Sequence, residues 1–170
     1  MALGEGRSFA SLIPPGLIAL GVVALDQAAK ILVDVTLSAG ATVPLIGNHL
    51  QLVYVRNSGA AFGLLRDSGV PFVLVSIAAS VLVLLYLLLI SPRRVLGRRA
   101  LALILGGAVG NMTDRILRSG EVVDFIDMGI TPRLRWPTFN VADIAVTLGV
   151  VLLVVEFLWD TRPKKDVSCG

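Results

Sequence analysis

Four long apolar runs divide the chain, and their ionisable residues gather toward one end of the set. The runs are "LIPPGLIALGVVALDQAAKILV" (12–33), "VPFVLVSIAASVLVLLYLLLI" (70–90), "RALALILGGAVGNMTDRIL" (99–117) and "VADIAVTLGVVLLVVEFLW" (141–159). About 20 apolar residues in a helix cross the roughly 30 Å of hydrocarbon in a bilayer. Helices satisfy their own backbone in lipid, whereas an open sheet leaves its edges unpaired. The alternation expected of barrel strands is missing from these runs. The first run has a core of a length that also suits a cleaved signal peptide. However, Asp26 and Lys30 continue the same helical run and three more spans follow, so it reads as a retained span.

Two connecting segments are too long to be bare links, 34–69 and 118–140. Within the first, "TVPLIGNHLQLVYVRN" alternates in part and predicts a strand pair or small sheet resting on the membrane surface. "SGAAFGLLRDSG" follows, a Gly-punctuated apolar piece that predicts a short interfacial helix or loop. The expected fold is an all-α membrane protein of four transmembrane helices, with a small extracytoplasmic β cradle and that interfacial piece. One domain spans 1–170.

Composition agrees. Hydrophobic residues make up 55% and charged residues 16%, against about 45–50% and about 25% in soluble domains. The mean hydropathy is +0.84. The net charge of +3 does not predict a nucleic-acid partner, because the basic residues form short clusters and no binding-module signature is present. Arg93, Arg94, Arg98 and Arg99 crowd the link between the second and third runs, and Arg162, Lys164 and Lys165 lie in the tail. Dense basic loops face the cytoplasm. Both termini are then expected inside, with 34–69 and 118–140 outside. Arg56, Arg66, Arg118, Arg133 and Arg135 also fall outside, so local density decides the orientation, not the total. Trp136 and Trp159 fall near opposite interfaces.

Candidate chemistry narrows quickly. The single cysteine, Cys169, sits in the tail, so no internal disulfide and no thiolate metal site is expected. The single histidine, His49, excludes multi-His metal sites, and no G-x-S-x-G accompanies it. It reads as a surface or packing residue. The polar residues of the spans share the outer end: Asp26 and Lys30 on the first, Asn111, Asp114 and Arg115 on the third, Asn140 and Asp143 opening the fourth. Asn57 lies in the first outer loop and Asp124 just after the third span. Several have plain structural uses. Asp26 and Lys30 are spaced for an i,i+4 ion pair, Asn140 suits an N-cap, and "GGAVG" (106–110) lets helix backbones approach closely. Arg115 reads as fixing helix packing.

Asp124 and Asp143 are harder to explain that way, since neither has a cation at helical spacing. Two converging carboxyls repel and share one proton. One acid can then polarise a carbonyl while the other takes a proton from water, which cleaves a peptide bond without metal, thiol or histidine. Asp127 fits the partner role as well as Asp124 does by periodicity. Two other readings use the same acids: a small transporter with an acidic relay, and a scaffold subunit whose acids meet a partner's basic residues. A transporter would want ionisable residues at several depths, and the second run has none.

"DQAAK", "NSGAAFG", "GGAVGNMTDR", "VVDFID" and "FNVADIAV", in this order across four spans, resemble the signal peptidase II family. The resemblance covers about 14–160 and implies a bacterial inner-membrane aspartyl endopeptidase. Such an enzyme cuts the signal peptide from prolipoproteins just before a diacylglyceryl-modified lipobox cysteine. It implies Asp124 and Asp143 as the catalytic pair, and Asp26, Lys30, Asn57, Asn111, Arg115 and Asn140 as supporting residues. It implies no cofactor and no metal, contact with membrane lipid, and cyclic-peptide inhibitors that bind the same site. A monomer is the default. Met112 and Thr113 stand where the family pattern more often has apolar residues; they flank the polar positions without replacing them.

Overall fold

In the computed structural model the described residues are 9–38, 40–58, 69–91 and 93–161. The interfacial piece expected from "SGAAFGLLRDSG" falls almost wholly outside them, as do Arg66, the basic tail and Cys169. After a short 3-10 turn (Phe9–Leu12) the elements are α1 (Ile13–Thr36), β1 (Thr42–Ile46), β2 (Leu50–Asn57), α2 (Gly69–Leu89), α3 (Val95–Leu117), β3 (Val122–Met128) and α4 (Val141–Asp160).

Among the described residues three helices, α1, α3 and α4, are long and apolar enough to cross a membrane. A shorter apolar helical stretch covers Val73–Leu89 of α2. The helices wear their apolar side chains outward: Leu20 is 64% exposed, Leu82 66% and Phe157 66%. In water such a surface would drive aggregation; in lipid it is the solvated face.

The central helix is α3, packed against α1, α2 and α4. Its glycines allow this. A Cβ at Gly106 would meet the Ala19 carbonyl and the Val22 side chain at 2.7 Å, and one at Gly107 would collide with the Ala142 carbonyl. The close approach expected of "GGAVG" therefore joins α3 to α1 at one glycine and to α4 at the next.

Two boundaries differ from expectation. Helix α3 begins at Val95, so Arg98 and Arg99 belong to a helix and not to a loop. Arg98 is buried and donates to the carbonyls of Ile90 and Ser11, capping the end of α2 and holding the chain entry into α1. The larger correction concerns 118–140. It carries the strand β3, which completes a three-stranded antiparallel sheet in the order β1-β2-β3. Val123 and Phe125 of β3 pack on Val33 of α1, with Leu52, Tyr54 and Val141 around them. The small core seats the sheet on the C-terminal end of α1 and the N-terminal end of α4.

Candidate active site

Each acid reaches the site through a local cause. Asp143 is the third residue of α4 in a capping box. Asn140 accepts from the Asp143 backbone N–H at 3.0 Å, and Asp143 Oδ2 accepts from the Asn140 backbone N–H at 3.1 Å. These bonds satisfy donors that a helix start would otherwise leave unpaired. Asp124 is buried on β3, where it pairs in register with Val55 of β2. On its other side the chain returns along β3, with Phe125 and Ile126 both donating backbone N–H groups to the Phe139 carbonyl. That return sets Asn140 beside Asp124.

The polar side chains form one continuous hydrogen-bonded network, which closes into a ring where Asn140, Asn111 and Asp143 meet. Asn140 Nδ2 donates to Asp124 Oδ1 at 2.8 Å and to Asn111 Oδ1 at 3.1 Å. Asn111 Nδ2 donates to Asp143 Oδ1 at 2.8 Å. Asn57 Nδ2 closes on Asp124 Oδ2 at 2.8 Å. One asparagine, Asn140, thus bonds both carboxylates, one through its side chain and one through its backbone. Burial pushes the Asp124 carboxyl up to about 6. The Asp143 charge acts in the same direction, while hydrogen bonds from Asn57 and Asn140 and the charge of Lys30 oppose it. A carboxyl so tuned holds a proton where an ordinary aspartate does not.

Beneath the ring lies a second, fully buried layer. Lys30 Nζ sits 2.8 Å from Asp26 Oδ2, 2.9 Å from Asp114 Oδ2 and 3.0 Å from Asn111 Oδ1. The i,i+4 pair expected from "DQAAK" is present, but it is buried and shared between two helices. Asp26 Oδ1 also accepts from the Ala142 N–H at 2.9 Å, and Asp114 Oδ2 from the Val123 N–H at 3.0 Å. The layer therefore fastens the start of α4 and the strand β3 to the bundle. Gln27 completes it, donating to Asp26 Oδ2, the Gly110 carbonyl and Asp114 Oδ1 at 3.1–3.2 Å. The sequence reading gave Gln27 no role. The one available signal was its place inside "DQAAK", since two of its three partners come from α3.

The structure brings all eight singled-out residues into one cluster: Asp26, Lys30, Asn57, Asn111, Asn140, Asp124 and Asp143 by direct bonds, and Arg115 by charge. The Arg115 guanidinium reaches the Asn111 carbonyl at 3.4 Å, and its charge acts on Asp143, Asp124 and Asp114. Asp127 stays outside. Three positions along a strand reverse the side chain's direction, and Asp127 instead accepts from Arg135 Nε at 2.7 and 2.8 Å. His49 bonds the Gly129 carbonyl at 3.2 Å, away from the ring.

Two carboxylates bridged by one asparagine, at the rim of a lipid-facing helical bundle, have the makings of a membrane-embedded aspartic peptidase. Residues 18–159 match the family described as signal peptidase (SPase) II, and the chain belongs to that family. It is 43% identical to the lipoprotein signal peptidase of Moorella thermoacetica over 84% of this chain and 91% of that one. It is 45% identical to the lipoprotein signal peptidase of Syntrophotalea carbinolica over 82% of this chain and 87% of that one. A solved bacterial membrane enzyme, determined in meso, superposes with a TM-score of 0.80 at 34% identity, covering 92% of this chain and 94% of that chain.

Proposed function

We propose that this chain removes the signal peptide from diacylglyceryl-modified prolipoproteins, cutting just before the lipidated cysteine, with Asp124 and Asp143 as the catalytic dyad. The observation that carries the dyad is Asn140, which donates to Asp124 at 2.8 Å through its side chain and to Asp143 at 3.1 Å through its backbone. A water between the two acids gives a proton to one and attacks the scissile carbonyl, whose oxygen takes a proton from the other. Arg115, whose buried Nε has no hydrogen-bond partner among the described residues and whose charge acts on both acids, is placed to oppose the negative charge that develops between them. Fixed donors of this kind are worth about 2.7–4 kcal/mol each where they have been removed. Asp26, Lys30, Asn57, Asn111 and Asn140 hold the acids in place, and no metal is required.

On this reading α2 spans the membrane with the other three helices, and the whole chain is one domain. The basic residues around Arg93–Arg99 put both termini in the cytoplasm, and the site opens at the extracytoplasmic face of the inner membrane. The substrate's acyl chains stay in the outer leaflet and its signal helix lies against the apolar helix faces. Holding the peptide there supplies much of the acceleration. The enzyme acts as a monomer, and cyclic peptides that inhibit the family occupy the same rim.

The test is cleavage of a lipidated precursor by purified variants in lipid. Asp124→Asn and Asp143→Asn each abolish turnover while the protein still folds, and Asp127→Asn retains it. Normal turnover by either of the first two removes that residue from the dyad.

A further inference from the structure

We propose that the substrate's signal helix docks antiparallel along one side of α4, and that Glu156 is the specificity-determining residue that receives its basic segment at the cytoplasmic end. The inference rests on the function proposed above. It adds which helix carries the substrate and what sets the substrate's register.

Glu156 is the acid that the dyad and its supports leave unused. It is the one charge between Asp143 and Asp160 in α4. A carboxylate within a span is costly, and such groups mark paired or working positions. Among the described residues Glu156 makes no hydrogen bond and no ion pair. Its side chain lies half-buried against α3, where a Cβ at Gly97 would collide with Glu156 Oε2. It borders a cavity of about 520 Å3 between the start of α3 and the end of α4. Val155, Trp159, Asp160, Arg93 and Arg94 share that wall. Arg94 is taken up by Asp160 at 2.6 Å. A carboxylate near the first turn of α3 also gains from that helix's dipole. That would be a structural use, blind to the substrate.

A second cavity, of about 320 Å3, lies at the other end of α4 with Asp143, Ile144, Thr147 and Leu148 on its wall. Ile144, Leu148, Val151 and Val155 recur at the spacing that keeps residues on one side of a helix. They are 39%, 51%, 51% and 43% exposed. One apolar stripe therefore joins the cavity at the dyad to the cavity at Glu156.

The length of that stripe fits a signal helix. From Asp143 to Glu156 the chain rises roughly 20 Å at about 1.5 Å per residue. A signal peptide carries a basic segment, then an apolar core of about 7–15 residues, then its cleavage site. As a helix such a core spans roughly 10–22 Å. With the scissile bond at Asp143, the basic segment arrives at the depth of Glu156. The two helices run in opposite directions, because α4 begins where the substrate is cut.

Charge, not burial, supplies the preference for this side of α4. Lipid tails are as apolar as the stripe, so the apolar core gains little by leaving them. A lysine or arginine of the basic segment can lay its stem along the stripe and reach the carboxylate with its head. The carbonyl end of α4 favours a cation at the same place.

The experiment measures cleavage by the full chain in mixed micelles of detergent and phosphatidylcholine, which enclose no side and carry no anionic lipid. The lipidated precursors differ only in the basic segment, whose lysines are kept, changed to glutamine or changed to glutamate. Glu156→Gln raises KM for the basic precursor by about two- to fivefold, with kcat held within about twofold. It leaves KM for the neutral precursor unchanged. Glu156→Lys raises KM for the basic precursor by about tenfold and lowers it for the acidic one. In the inactive Asp143→Asn chain, a photoreactive amino acid at Val151 cross-links to the precursor's apolar core. The same group at Leu20, equally lipid-facing on α1, does not. An unchanged KM overturns the role of Glu156. So does a change alike for all three precursors, as pairing with α3 or with the chain's own Arg162, Lys164 and Lys165 would give. Cross-linking as strong at Leu20 as at Val151 overturns the docking on α4. Wild-type cleavage, lost in Asp124→Asn and Asp143→Asn, would leave the dyad reading standing in either event.

Discussion

Lys30 and Asp114 join α1 to α3 through an ion pair of 2.9 Å in which neither side chain has any solvent exposure. Asp26 completes the arrangement at 2.8 Å from the same ammonium. Two carboxylates around one buried cation are tolerated because further donors answer them: the Ala142 N–H meets the other oxygen of Asp26, and Gln27 and Arg118 meet the other oxygen of Asp114, whose Oδ2 also takes the Val123 N–H. The polar layer thereby fixes where α4 begins and where β3 lies, which are the two carriers of the acids.

Removing the cation should cost more than an exposed helix pair does. Lys30→Met leaves two buried carboxylates without the cation they share, a change worth about 3–5 kcal/mol in comparable buried pairs. Thermal unfolding in detergent should register it as a large fall in Tm, together with loss of activity. A change below about 0.5 kcal/mol, the value for surface pairs, would contradict the burial described.

The raised Asp124 carboxyl couples stability to pH in a definite direction. Its folded value of about 6 lies above the ordinary 3.8, so the folded state binds the proton more tightly. This group's contribution is fullest below the unfolded value and declines as pH rises between about 4 and 6. Asp124→Asn cannot ionise and should flatten that decline, making the inactive variant more stable than wild type near pH 7 by about 1–3 kcal/mol. Denaturation midpoints across this window test the sign. The wild-type kcat/KM should also fall above about pH 6 as the proton leaves Asp124.

Asn140 serves both the helix and the dyad, and its truncation should separate the two. Asn140→Ala loses an N-cap, worth about 1 kcal/mol. It also takes the side-chain donor from Asp124 and from Asn111 while the backbone N–H to Asp143 stays, so kcat should fall by about 10²-fold or more. A loss of kcat no larger than the stability change accounts for would reduce Asn140 to a cap.

Gly107 tests the packing under the site. A side chain there collides with the Ala142 carbonyl, one residue before Asp143, and with Val146 at 2.7 Å. Gly107→Val should cost about 1–3 kcal/mol of stability and, by pushing α4 outward, depress turnover even in the folded fraction. Retention of full kcat would mean that α4 can shift without moving Asp143.

What the sequence made legible was whatever depends on near neighbours or on the solvent. Runs of Leu and Val mark the helices because lipid rewards an apolar surface wherever it lies along the chain. Asn140 was readable as a cap because its partner is three residues away, and Asp26 with Lys30 because they lie one turn apart. "GGAVG" announced close packing because only backbone can come that near to backbone.

Tertiary structure decided the rest. No local pattern identified β3 in 118–140, because its ladder is completed by β2 and by Phe139, not by adjacent residues. The choice of Asp124 over Asp127 followed from that strand: alternation sends the two acids to opposite faces, and only the register says which face meets Asn140. Gln27 and the second partner of Lys30 were hidden for the same reason, since a contact between helices leaves no mark at helical spacing. The chain alone dictated a lipid-solvated bundle with acids at one rim; the fold decided which acids meet and which donors hold them, because hydrogen bonds depend on positions in space that only the packed bundle and sheet define.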